Sequence, residues 1–454
     1  MGRVTESLAQ FVASAPEIPL PTGVEEIASV GFRDAIGVTL AGMNEPIWHR
    51  LKGLALEAGG ARESRLFLSG DRVPANTAAM VGASTAHALD YDDYAFSNHV
   101  SAVLVPAILA EAEHVGANGL EMVRAYAVGY EVWRNIMKRE PDDLYVRGWH
   151  PTAVFGGFAT AAASACLHRA DAETVKDAIG LVVAFGGGVM GNFGSMGKPV
   201  QGGQAAETGV RAVRMALAGI DAGADALDGD NGLLLALSPE GNVNVSDPAV
   251  GLDRFEGILS ERLNIKRYPT VGASQRCGDA AVQLHRDLVP DLDRIGKIRP
   301  KVSERHARVM PMHKPASALE AKFSLEFVVA AGLISGRVGL NELSDEFVQR
   351  DDVQRLIDLV EIEIGPDDDP VYPSGGRADI IHLDLDDGTT ISSDEVTRWR
   401  GHAERPMSEE ELRDKFLDCA GQAIQSGVAE ALFDQLADLG NLTGTGDLPI
   451  LTLP

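Results

Sequence analysis

Residues 87–106 read HALDYDDYAFSNHVSAVLVP and set Asp90, Asp92, Asp93 and His99 between two apolar runs. Acids at a helix end often do no more than cap free N–H groups or carry a loop to water. The wall of an active site explains the cluster equally well, with His99 opening the next helix and Asp92 and Asp93 only capping and shaping the loop. A second cue is Lys198. From Ala178 to Ala206 there is no acidic residue, and Lys198 is the only charged side chain. A lysine in such a Gly-rich, apolar setting loses water, and its pKa falls unless an anion lies beside it. The plainer alternative is a lysine that snorkels out of a loop. A third window, RLNIKRYPTVGASQR, holds Arg262, Lys266, Arg267 and Arg276 with no acid among them. In an acidic chain this suggests a site for carboxylate or phosphate, with salt bridges to distant acids as the bland reading. Finally, YVRGWHPTAVFGG carries Tyr145, Arg147 and His150. Pro151 favours a helix start, so the His150 imidazole meets a helix N-terminus, where the dipole disfavours imidazolium and leaves a neutral base. Two such histidines, an isolated lysine and a cationic cluster form an acid/base set suited to an anionic substrate.

The elements that position these residues follow from hydrophobic periodicity. Helices are expected over 23–40, 75–89, 103–116, 120–138, 151–167 and 172–185. Several are rich in Ala and Gly, as in FGGFATAAASA. Gly is costly inside a helix, so its use there implies backbones packed close together. After about Lys266 the pattern changes to apolar–polar alternation in RIGKIRPKVSE, LVEIEIGP, ADIIHLDLDDG and TTISSDEV, with a hairpin at Asp386–Asp387–Gly388. Helical stretches over 317–335 and 352–359 lie among these strands, and an amphipathic stretch over 408–439 follows. The expected fold is mainly α: a large helical domain from residues 1–265 and 403–454, with a smaller α+β domain, 266–402, inserted between them.

Composition narrows the function. The 454 residues are 45% hydrophobic and 23% charged, which is ordinary for a soluble globular chain of about two domains. Forty Lys and Arg against 66 Asp and Glu give a net charge of −26, a field that repels nucleic acid and anionic membranes. No run is apolar enough for a signal peptide or a membrane span. Cys166, Cys277 and Cys419 are isolated, with no metal-binding spacing, so a reduced, cytoplasmic protein is expected. GGGVMG at 186–191 satisfies the dinucleotide spacing, but the segment before it reads as helix rather than strand, which makes a nicotinamide site a poor fit.

Taken together, AHALDYDD…H, RGWHPTAVFG, MGKPVQGGQAAETGV, IKRYP and AKFSLEFVVAAGLISG resemble the MmgE/PrpD family in order and spacing, from about Leu8 to about Gln422. That family includes 2-methylcitrate dehydratase, cis-aconitate decarboxylase and iminodisuccinate epimerase. The resemblance implies an all-helical domain with an α+β lid, a homodimer, and no metal or cofactor. It implies catalytic residues at Asp90, His99, Tyr145, His150 and Lys198, with Lys266, Arg267, Gln201 and Gln275 binding the substrate. The sequence departs from the family pattern at several places. Val100 follows His99 where Pro is usual, Gln201 stands where the motif places His, and Val271 and Gln275 occupy positions often filled by His in the dehydratase and decarboxylase branches. Phe327 stands where Tyr is common. The expected activity is that of a lyase on a small di- or tricarboxylate, working through an α-carboxylate carbanion and closest in kind to 2-methylcitrate dehydratase. The alternatives are an epimerase, a cis-aconitate decarboxylase-like enzyme, or a carboxylate-binding protein without turnover.

Overall fold

The computed structural model describes residues 3–139, 144–288, 292–371 and 375–452. Nine helices open the chain: α1 Arg3–Ser14, α2 Val24–Gly42, α3 Pro46–Ala58, α4 Ala75–Ala86, α5 Val100–Val115, α6 Gly119–Met137, α7 Pro151–Leu167, α8 Ala172–Val183 and α9 Gly197–Leu217. A two-residue ladder pairs β1 Ser64–Arg65 with β2 Arg72–Val73 between α3 and α4. Local chemistry sets many of the ends. Asn118 and Glu121 form a reciprocal capping box at the start of α6, and Asp171 caps α8. His99 and His150 stand at the N-caps of α5 and α7, as their sequence contexts predict.

The glycines of α7 and α9 allow these helices to touch. A Cβ at Gly209 would fall inside the contact distance of Thr160 Oγ1 and the Ala161 amide, and one at Gly203 would collide with Ser84 Oγ. Helices α4, α7 and α9 therefore pack backbone against backbone, and α5, with Leu104 and Ile108 fully buried, fills the centre.

Beyond Lys266 the chain builds a second hydrophobic core. Helices α10 Gln275–Leu288, α11 Leu325–Ser335 and α12 Asp351–Asp358 pack with a four-stranded sheet. Its strands are β3 Ile295–Ser303, β4 Glu363–Gly365, β5 Ile380–Leu385 and β6 Thr390–Ser392, in the order β4-β3-β5-β6. Strand β4 runs parallel to β3, while β3–β5 and β5–β6 are antiparallel, the latter joined by the hairpin expected at Asp386–Gly388. The chain then rejoins the first core through α13 Glu409–Ala420 and α14 Ser426–Ala437, where Phe416, Leu432 and Phe433 are buried.

The fold is thus mainly α. Two expected helices prove to be broken. The 408–439 stretch divides at Gly421–Gln425, and the 317–335 stretch divides where the Ser324 side chain turns back to cap Phe327 N and start α11 afresh. Gly186–Gly191 follows helix α8 rather than a strand, so the strand–turn–helix of a dinucleotide site is not formed there.

Two glycine substitutions should act in opposite directions. Gly209→Ala, which forces a methyl group into the α7–α9 contact, should cost roughly 1–3 kcal/mol in urea denaturation. Gly53→Ala, in α3 with open space around it, should stabilise by about 0.5–1 kcal/mol through lower chain entropy.

Candidate active site

The segment joining α4 to α5 carries the cluster found in the sequence, and lysines from four places hold it. Asp90 is 2% exposed and its backbone is left-handed, φ 52°, a conformation uncommon for a residue with a side chain. Its Oδ1 accepts from Lys198 Nζ at 2.9 Å and from Lys266 Nζ at 2.7 Å, and its carbonyl accepts from Lys266 at 2.6 Å. Lys322, reaching across from the second core, donates to Ala88 O at 2.9 Å. Lys415 of α13 bridges Asp34 Oδ1 and Tyr91 O. Lys198 lies at the start of α9 and neither snorkels nor stands alone. Its ammonium group packs over Phe193 and Phe323, 5.0 and 5.1 Å from the ring centres.

Burial would raise the Asp90 pKa, but the charges of Lys198 and Lys266 outweigh it and hold the carboxyl well below its usual range. Burial, with Lys266 nearby, lowers the pKa of Lys198 despite Asp90.

Beside this triad lies a group of three buried imidazoles. His99 Nδ1 donates to Asp92 Oδ2 at 2.8 Å and His87 Nδ1 to Asp92 Oδ1 at 3.0 Å, with the two rings 4.1 Å apart. His150 meets Gln201 Nε2 through its Nδ1 at 2.9 Å. Burial first, and then the positive field of the lysines and neighbouring imidazoles, lowers all three pKa values. His99 falls to about 3, so it is neutral under ordinary conditions.

A cavity of about 630 Å³ opens onto this group. Of the nine residues expected at the site, His99, Tyr145, Lys198 and Lys266 line its wall. Asp90 lies beneath the two lysines, and His150 lies behind the rings of His99 and Phe193. The three other expected residues turn away from the cavity. Gln275 is fully buried and spends its amide on the 267–270 turn, accepting from Arg267 N and Tyr268 N and donating to Tyr268 O and Thr270 O. Gln201 braces Val189, Asn192 and His150. Arg267 lies against Tyr268 and pairs with Asp279. The cationic window therefore divides. Lys266 and Arg276 reach the cavity, while Arg262 faces out toward Glu26.

Two further residues had their importance hidden in the sequence. Asp92 is not a loop cap but the shared partner of two histidines, and His87 belongs to the imidazole group. The signal was present, since His87 opens the same motif as Asp90 and Asp92. The far wall comes from residues beyond Ile265, and of these Arg276 was marked by the cationic window while Arg305, His306, Val309 and Trp399 were not legible.

The arrangement presents two fixed ammonium groups, a neutral imidazole and the Tyr145 phenol, which donates to Ser97 O at 3.1 Å, to whatever occupies the cavity. Among the described residues, His87, His99 and His150 offer ring nitrogens within 4.8 Å of one another, near enough for one metal ion. His87, Asp90, Asp92 and His99 form a second such group, in which Asp90 is already paired with Lys198 and Lys266. What such a site can do is bind a carboxylate and stabilise negative charge that develops beside it.

Comparison with known proteins identifies the family. The MmgE/PrpD N-terminal domain matches residues 6–246, and the MmgE/PrpD C-terminal domain matches residues 268–438. Cis-aconitate decarboxylase from Mus musculus is 26% identical over 99% of this chain and 92% of its own length. The enzyme of that name from Homo sapiens is 25% identical over 99% of this chain and 94% of its own. The one from Aspergillus terreus is 25% identical over 99% of this chain and 96% of its own. With both family domains in place and full-length relatives of this kind, the chain belongs to the MmgE/PrpD family and is an enzyme of the lyase type.

Proposed function

We propose that the protein acts on a small di- or tricarboxylate through a carbanion formed next to a carboxylate, and that its reaction is decarboxylation of a cis-aconitate-like acid. The observation that carries this reading is the pair of buried ammonium groups, Lys198 and Lys266, on the wall of a cavity that His99 and Tyr145 also line. When the C–C bond to the departing carboxylate breaks, its electron pair stays on the substrate and spreads into a neighbouring carboxylate. Two cations already in place stabilise that added charge more than they stabilise the substrate. CO2 leaves, and a proton then adds to carbon. Lys198, made more acidic by burial, and the Tyr145 phenol both line the cavity as proton donors. Asp90 holds both lysines in place, and His150 backs His99. The printed names of the relatives favour decarboxylation over the dehydration expected from sequence.

One feature keeps dehydration of a 2-methylcitrate-like hydroxy acid as a second reading: neutral His99 is a base, and Tyr145 an acid for the leaving hydroxyl. Residues 266–402 are then a lid on the helical body, since the cavity wall draws on both sides of Ile265. The family resemblance supports a cytoplasmic homodimer that needs no metal or cofactor.

Proton NMR in D2O with cis-aconitate, methylcitrate and iminodisuccinate should show deuterium entering one of them at carbon, with the product identifying CO2 loss, alkene formation or epimerisation. A ligand that raises the melting temperature without any exchange would replace the enzyme reading with that of a binding protein. Lys198→Ala should reduce turnover by about a hundred- to a thousandfold, and unchanged turnover would remove Lys198 from the mechanism. Because His99 stays neutral down to about pH 3, kcat/KM should show no imidazole inflection near 6.5 and should decline only in stronger acid. An inflection near 6.5 would mean that another, solvated group is the base.

A further inference from the structure

The hydrogen bonds around the imidazoles determine which nitrogen of each carries the proton. Asp92 is fully buried, and its two oxygens take the Nδ1 atoms of His87 and His99. An ionised carboxylate only accepts, so both Nδ1 atoms must carry hydrogen. A neutral imidazole has one N–H, which leaves Nε2 of His99 with a bare lone pair. Its position agrees: His99 Nε2 stands 3.7 Å from Asp90 Oδ1, outside hydrogen-bond reach, as two acceptors should.

His150 is set the opposite way. Gln201 Oε1 accepts from the Val189 amide at 3.0 Å and from Asn192 Nδ2 at 2.8 Å. The backbone N–H can only donate, so the amide orientation is fixed and Gln201 Nε2 points at His150 Nδ1. That nitrogen must accept, and the His150 proton resides on Nε2, which is buried and has no hydrogen-bond partner.

We propose that Asp92 and Gln201 are positioning residues that lock opposite tautomers on the two histidines, making His99 a proton acceptor at the cavity and His150 a donor behind it. The assignment deepens the carbanion reading and rests on it only for its effect on turnover. It also gives a purpose to the amide at position 201. A second imidazole there, free to choose its own tautomer, would not fix the His150 proton as the braced amide does.

The tautomers are read directly by two-bond 1H–15N correlation NMR on full-length protein labelled with 15N-histidine, with signals assigned through His99→Gln and His150→Gln. In the unmutated protein His99 should appear as the Nδ1–H form and His150 as the Nε2–H form. His99 protonated on Nε2, or His150 protonated on Nδ1, overturns the proposal without any substrate being needed. Gln201→Glu replaces the donor with an acceptor and should flip His150 to Nδ1–H, and an unchanged His150 signal counts against the lock. Asp92→Asn should release one of its two histidines to the other tautomer. With the substrate found by the exchange experiment, it should lower kcat on the order of 10²–10⁴-fold with KM changed only a few-fold, the pattern of a misoriented base. If the tautomers are as stated but no carboxylate exchanges, the lock stands and the carbanion reading fails.

Discussion

One carboxylate, Asp90, is shared by two buried ammonium groups, and much of the molecule exists to make that contact possible. Lys198 comes from the start of α9 and Lys266 from the crossing between the two cores, 108 and 176 residues away in sequence. Removing three charges from water is expensive, and only their mutual attraction makes it tolerable. Losing the carboxylate would leave two ammonium ions buried side by side, an error on the order of 3–5 kcal/mol. The left-handed backbone at Asp90 fits this picture. Lys266 takes the Asp90 carbonyl as well as its carboxylate, so the strained residue is held at two points.

The glycines of the helical part serve the same end. Lys198 can reach Asp90 only if α9 lies close to the α4–α5 segment, and Gly203, five residues on, sits against the Met80 carbonyl and the Ser84 side chain of α4. Helices separated by ordinary side chains would stand farther apart and leave the ammonium group short of its partner. Packing density and site geometry are thus a single requirement.

This explains what could be read from sequence. Helix α7 begins at Pro151 and ends at Leu167, as the pattern predicts, and the hairpin at Asp386–Gly388 forms, because both depend on neighbours a few residues away. Lys198 and Lys266 were legible as charges without local partners, since an acidic chain makes an acid-free window conspicuous. What they bind was not, because the partner lies across the fold. Gln275 shows the reverse error. The family resemblance places it at a substrate-binding position, but its amide is consumed by the turn between it and Lys266, a fact that only the three-dimensional course of residues 267–270 reveals. Asp92 was hidden for a similar reason: in sequence it is one of three acids in a loop, all of them buried, and only its two histidine partners set it apart from its neighbours.

The charge arrangement finally fits the proposed carboxylate ligand to a chain of net charge −26. At the cavity wall two ammonium groups answer one carboxylate, while the Asp92 charge sits behind two imidazoles. This cluster is one negative charge short, and burial first, then the charge of Lys266, lowers the pKa of Lys198. A ligand carboxylate supplies the missing charge, whereas a neutral molecule would leave the deficit in place. The acidic exterior slows the approach of any anion, but its long-range effect is screened within about 8–10 Å at physiological salt. The buried deficit is not screened, so the local field decides what binds.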